Sequence, residues 1–199
     1  MPKKLSEMTL EELWQLFPIV LTEHQACWTD WYAEEEAVLR RLLGPAPVLN
    51  HIDSTAIEGI WAKPIIDILI ELSDTTALAA AGSRLKAAGY LCMSDSGGRM
   101  DFNKGYTPEG FGERVFHLHL RLLGDNDELY FRDWLNARPD AAKEYEALKL
   151  GLWKRYEHDR DEYTRQKAAF VQEHTARAKG AYGDRYVWPE GLTWEGFPD

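Results

Sequence analysis

The apolar residues change period twice along the chain, and the changes divide it into a helical start, a sheet-forming centre and a helical end. Leu10, Leu13 and Leu16 stand behind Thr9-Leu10-Glu11-Glu12, a capping-box pattern that predicts a short helix stopping near Pro18. Thr22 to Gln25 repeats the pattern. From there Trp28, Trp31, Ala37, Leu39 and Leu42 predict a helix to about Leu43, ended by Gly44-Pro45. Strand-like runs follow. Pro47–Ile52 is a short strand candidate, Asp53-Ser54-Thr55 a polar turn, and Ile65–Ile70 an apolar strand interrupted only by Asp67. Asp74 caps an Ala/Leu-rich helix ending at Gly89. Tyr90–Met93 and Arg99–Phe102 read as paired strands around Ser94–Gly98, Phe111-Gly112 as a loop, and the alternation of Val115–Leu122 as a longer strand. Past Gly124 the helical period returns. Asp125-Asn126-Asp127 caps a helix through Trp134, and Pro139 opens a second with Ala142, Tyr145, Leu148 and Leu152 on one face. After a break at Asp159–Asp161, a third runs from Tyr163 to about Lys179, stopped by Gly180 and Gly183. The expected architecture is one α/β (α+β) domain over residues 1–199: a sheet core about 47–122, helices about 126–180, and an irregular tail over 181–199 that packs back on the surface.

Composition narrows the function classes. A chain of 199 residues with 45% hydrophobic content can bury a sizeable core. The formal net charge of -10 repels phosphate backbones and argues against nucleic-acid binding, while leaving room for a local basic pocket that takes one phosphorylated metabolite. The eight Trp are expected in the core or between helices before any ligand-stacking role. Trp-rich ends are also compatible with a homodimer. Cys27 and Cys92 have neither CxxC nor zinc-site spacing and read as buried thiols in a reducing compartment. The start, MPKKLSEMTLEELW, lacks the apolar run of a signal peptide, and no stretch approaches the ~18 apolar residues of a membrane helix, so no membrane and a cytoplasmic location are expected.

Asp67 is the sharpest anomaly. A carboxylate between Ile66 and Ile68 costs several kcal/mol unless it is exposed, paired with Lys or Arg, or bound to a cation. It is thus either an ion-pair residue or a metal ligand or general base. The turn at Ser54-Thr55, close by in sequence, offers hydroxyls and backbone N–H groups to a phosphate, with Lys63 adding positive charge. Read alone, it is also an ordinary turn. His117 and His119, two apart in a strand, share a face with Cα atoms about 7 Å apart and can chelate one ion, or they are merely half-exposed on a polar face. Leu118 and Leu120 would face the core. Arg132 either pairs with a neighbouring acid on its helix or clamps a phosphate. Arg114 and Lys149 are weaker candidates of that kind, and Tyr145 and Tyr163 read as packing residues.

Residues 51–69, His-Ile-Asp-Ser-Thr-Ala-Ile-Glu-Gly-Ile-Trp-Ala-Lys-Pro-Ile-Ile-Asp-Ile-Leu, resemble the signature of the GrpB family, a largely uncharacterised branch of the nucleotidyltransferase fold. The resemblance continues through Gly89-Tyr90, residues 116–120 and 131–135, Tyr145, Leu148-Lys149, Tyr163-Thr164 and Lys167, and covers roughly residues 24–178. It implies a nucleotidyltransferase-like mixed sheet flanked by helices, with the Ser54 turn holding a triphosphate and Asp67 a divalent cation. Active members of that fold carry Gly-Ser or Gly-Gly, a gap, then Asp-x-Asp or Asp-x-Glu. The twelve residues 55–66 fit the gap. Two positions depart from the pattern. Asp53 stands where Gly is expected, and Leu69 where the second carboxylate is expected. Glu71 faces the Asp67 side, but four residues along a strand is about 13 Å, too far to share an ion. Imidazoles with one carboxylate favour Zn, Mn, Fe or Ni over Mg.

The expected function is therefore a metal-dependent nucleotidyltransferase, or a binder of a nucleotide or other phosphorylated small molecule. Asp67 and Ser54 would be catalytic; Ser54, Thr55, Lys63 and Arg132 would bind phosphate; Asp67, His117 and His119 would hold a divalent cation (Mg, Mn or Zn). The alternative is a non-catalytic ligand- or partner-binding module that kept the fold and lost the second carboxylate.

Overall fold

The computed structural model describes residues 3–188. Helix α1 (Leu10–Leu16) is capped as expected: the Thr9 hydroxyl accepts from Glu12 N, and the Glu12 side chain accepts from Thr9 N. The second capping pattern is overridden. Thr22 exchanges backbone hydrogen bonds with Ala62, so that segment is extended and α2 (Cys27–Leu43) begins only after it. Gly44, at φ 87°, ends α2.

Strands β1 (Val48–Ile52), β2 (Ile65–Leu72), β3 (Leu91–Asp95), β4 (Arg99–Thr107) and β5 (Gly110–Leu122) form one mixed sheet in the order β1-β2-β5-β4-β3. Only β2 and β5 run parallel, which requires a crossover; α3 (Thr75–Ala87) and the β3–β4 hairpin supply it. The segment Phe111-Gly112, expected as a loop, is the start of β5. Phe111 pairs with Tyr106 and packs on the Tyr106 and Phe17 rings, while Gly105, at φ +88°, allows a bulge in β4. A Cβ on Gly105 would lie 2.2 Å from the Arg114 carbonyl oxygen, so the glycine marks a close backbone approach rather than a break in the strand.

Alternation assigns the two faces. Ile66, Ile68 and Ile70 of β2 and Phe116, Leu118 and Leu120 of β5 are buried against α2 and α3, through Trp28, Leu39, Leu78 and Leu85. The intervening residues Asp67, Leu69 and Glu71 pair with His117, His119 and Arg121 on the opposite face. A register slip of one residue would put both histidines in the apolar core, so the core sequence fixes the polar face. Helices α4 (Asp127–Asn136), α5 (Pro139–Trp153) and α6 (Arg160–Tyr182) cover that second face with their own apolar cluster, including Phe131, Leu135 and Tyr145. α6 passes through Gly180 and ends at Gly183, later than the spacing suggested. Of the tail expected to be irregular, residues 181 and 182 belong to α6, and 189–199, with Trp194, lie outside the described residues. No helix among the described residues is long and apolar enough to cross a membrane.

Candidate functional site

Three side chains meet on the polar face of the sheet. Asp67 sits on β2, and its register partner His117 and the next same-face residue His119 sit on β5. Asp67 Oδ1 lies 3.3 Å from His117 Nδ1 and 3.0 Å from His119 Nε2. One donor atom from each residue falls within 4.8 Å of the others, a spacing that one ion can span. The side chains keep between 16% and 25% of their exposure, enough for a solute to reach them.

The surroundings hold each ring in place. His119 Nδ1 lies 3.0 Å from Asp101 Oδ1 on β4, and Asp101 is fixed in turn by Arg121 Nη2 (2.7 Å) and the Ser94 hydroxyl (2.6 Å). His117 Nε2 lies 2.8 Å from the Tyr106 hydroxyl, to which Arg160 donates. Burial alone would raise the Asp67 carboxyl, but hydrogen bonds from both histidines outweigh it and hold the group far below the usual carboxylate range. Burial likewise works to lower His119, yet its hydrogen bonds to Asp101 and Asp67 raise it to about 9, which favours the imidazolium between two carboxylates. His117 is pushed down by burial, against the pull of Asp67. Burial of Glu71 raises its carboxyl; it accepts from Gly124 N and the Asn126 amide and serves as an internal tie, not as a second ligand.

The turn after β1 lies on the same side. Ile52 is in register with Asp67, so Asp53 and Ser54 emerge beside it. Ser54, Thr55, Lys63 and Asp67 line one small cavity, where Lys149 and Lys167 join them. Asp53 adopts φ 56°, ψ -158°, near the region that only glycine takes up readily, so the backbone keeps the glycine-type turn although the residue is not glycine. The Ser54 hydroxyl donates to Asp53 Oδ1 at 3.1 Å. The Thr55 hydroxyl is engaged by the Ile65 carbonyl and His51 Nε2, which makes it a structural link rather than a free donor. Next to the cavity, between the sheet and α6, opens a cleft of about 710 Å³ lined by Asp53, Asp67, His119, Phe131, Val171 and Lys167, among others.

Arg132 is not brought into this group. Its Nε donates to Asp133 at 2.8 Å and its Nη1 to the His51 carbonyl at 2.8 Å, so it ties α4 to β1. Sequence reasoning passed over Asp101, whose position opposite His119 follows only from the β4–β5 register, and underweighted Lys149 and Lys167, which reach the site from α5 and α6.

Residues 18–177 match the family model described as GrpB protein. The chain belongs to the GrpB family. It is 35% identical over 162 residues to the glutamate-rich protein GrpB of Alkalihalophilus pseudofirmus, a match covering 78% of this chain and 92% of that protein. It is 40% identical over 155 residues to a UPF0157 protein of Pseudomonas aeruginosa, covering 75% of this chain and 62% of the relative. The crystal structure of the conserved protein GrpB from Enterococcus faecalis superposes with a TM-score of 0.71 at 27% identity, covering 82% of this chain and 99% of that one. The matched GrpB region contains every residue of the site, from Asp53 to Lys167.

Proposed function

We propose that this chain binds a divalent cation through Asp67, His117 and His119 and, beside it, a nucleotide or other phosphorylated small molecule at the Ser54 turn, in the manner of a nucleotidyltransferase-type site. The observation that carries the reading is the Asp67 carboxylate set between two imidazoles of the neighbouring strand. The donor set fits the cation. One carboxylate and two imidazoles suit Zn or Mn better than Mg, and Asp101 and Tyr106 stand behind the histidines where outer ligands orient a metal-bound ring. The ion would supply Lewis acidity at a phosphoryl oxygen. The chain's own residues do the rest: Ser54 and its turn orient the phosphate, and Lys63 adds positive charge. His119 Nε2 would have to be free of its proton to hold the ion, so affinity for the ion would rise with pH.

Calorimetric titration with zinc and manganese tests this. Wild type takes up one ion, and His119→Ala weakens uptake by at least about tenfold. Equal, negligible heats in both would end the metal reading.

A second reading, a binding module without turnover, is favoured by Leu69 in the place of a second carboxylate and by Glu71 being tied to Gly124 and Asn126. Incubating the metal-loaded protein with nucleoside triphosphates separates the two: pyrophosphate release supports transfer, and thermal stabilisation by nucleotide without release supports binding alone.

A further inference from the structure

The chain leaves α6 at Gly183 and turns back over α4, where it is tied down step by step. The Tyr130 hydroxyl donates to the Gly183 carbonyl at 2.9 Å, the Asn126 amide donates to the Tyr186 carbonyl at 3.0 Å, and the Tyr186 hydroxyl donates to Asp133. The half-buried Trp188 side chain hydrogen-bonds to Glu71, near the end of β2. Residue 189 therefore departs from a fixed point. That point lies at the rim of the cleft over Asp67. Val187 and Trp188 line a hollow of about 460 Å³, and the hollow meets the cleft at Asp127 and Lys179, which line both.

The residues that follow suit the cleft. Residues 189–199 carry Leu192, Trp194 and Phe197, together with Glu190, Glu195 and Asp199 and no Lys or Arg. Large rings need an apolar surface to lie against. The cleft offers one in Phe131, Ala168, Val171 and Ala176. It also offers a counter-charge. Lys167 lines the cleft with no carboxylate partner among the described residues, its Nζ resting 4.8 Å from the centre of the Tyr163 ring. Length allows the contact. Extended chain covers about 3.3 Å per residue, so the six residues from Pro189 to Trp194 span about 20 Å. Val171 lies only about 12 Å along α6 from Lys179, at about 1.5 Å per residue.

We propose that residues 189–199 fold back into the cleft of about 710 Å³, with Trp194 packed on Val171 and Phe131, so that the chain's own tail competes with whatever ligand the cleft takes. The inference goes beyond the metal and phosphate reading and does not depend on it. A linked tail acts at a high effective concentration, so a ligand must displace it, and the apparent affinity of the cleft falls by the ratio of covered to open molecules.

The test is fluorescence titration of the full chain with anilinonaphthalene sulfonate, an apolar dye with one negative charge, in buffer containing a metal chelator. Trp194→Ala raises dye affinity at least about tenfold over wild type. Adding Val171→Asp to Trp194→Ala removes the gain, because the dye then loses the apolar wall of the cleft. A synthetic peptide of residues 189–199 displaces the dye from Trp194→Ala, though only at concentrations far above that of the linked tail. Equal dye affinity in wild type and Trp194→Ala overturns the proposal, and so does a peptide that fails to compete. A gain that survives Val171→Asp in a variant with an unchanged melting temperature places the dye elsewhere and also overturns it. Dye affinity of wild type that rises on dilution would assign the cover to the tail of a second copy, against the proposal. Because no metal is present, none of these outcomes bears on cation binding at Asp67.

Discussion

His51 shows how one residue near the site couples it to pH. Its ring stacks on Tyr32 at 4.9 Å and lies 2.9 Å from the Thr55 hydroxyl. Burial lowers it from 6.5 to about 4, with Arg132 pushing the same way and Asp67 opposing. Above pH 6.5 it is neutral whether folded or unfolded. Between 6.5 and 4 the unfolded chain binds a proton that the folded chain refuses, so stability falls across that window by up to about 3 kcal/mol. Melting curves should show His51→Gln losing less stability than wild type between pH 7 and 4.5; an equal loss contradicts the assignment. At this scale much of the site was legible. Asp67 stood out because it interrupts an apolar strand, and His117 and His119 because a spacing of two shares a face. The role of Asp101 was not legible, because nothing in its local sequence places it opposite His119. That depends on the β4–β5 register.

The β1–β2 connection is the element on which the site turns. Its backbone makes a glycine-type turn at Asp53 with φ 56°, which costs on the order of 1–3 kcal/mol in a non-glycine residue. Asp53→Gly should therefore stabilise the protein by about 1 kcal/mol after the added freedom of the unfolded glycine is counted, or roughly 2–4 °C in Tm for a chain of this size. A lower Tm would mean that the Asp53 carboxylate holds the nearby lysines more strongly than the turn is strained. Elements were readable from sequence wherever local signals acted alone, as in the Thr9 cap and the Asp74 cap, whose side chain accepts from Ala77 N. They were misread where a distant pairing prevailed. Thr22 looks like a cap but is drawn straight by Ala62, and Phe111-Gly112 looks like a loop because glycine signals a turn and a bulge alike.

At the scale of the whole molecule, the sheet has one face sealed by α2 and α3 and another that α4 to α6 cover without closing, which leaves the 710 Å³ cleft over Asp67. One α/β domain was expected from the order of elements, and the mixed sheet flanked by helices from the family resemblance. What pattern could not provide is which helix residues reach the strand ends. Lys149, Tyr163 and Lys167 converge on the turn from two helices, while Arg132, read as a phosphate clamp, ties α4 to the β1 carbonyl at His51. These are long-range packing outcomes, and local sequence carries no signal for them.

Diffraction from crystals soaked in zinc and measured at the zinc absorption edge tests the central claim most directly. The account predicts one anomalous peak bonded to an Asp67 carboxylate oxygen and to a nitrogen of each of His117 and His119, at about 2.0–2.2 Å. Peaks only elsewhere, with His119 still bridging Asp67 and Asp101, would contradict it.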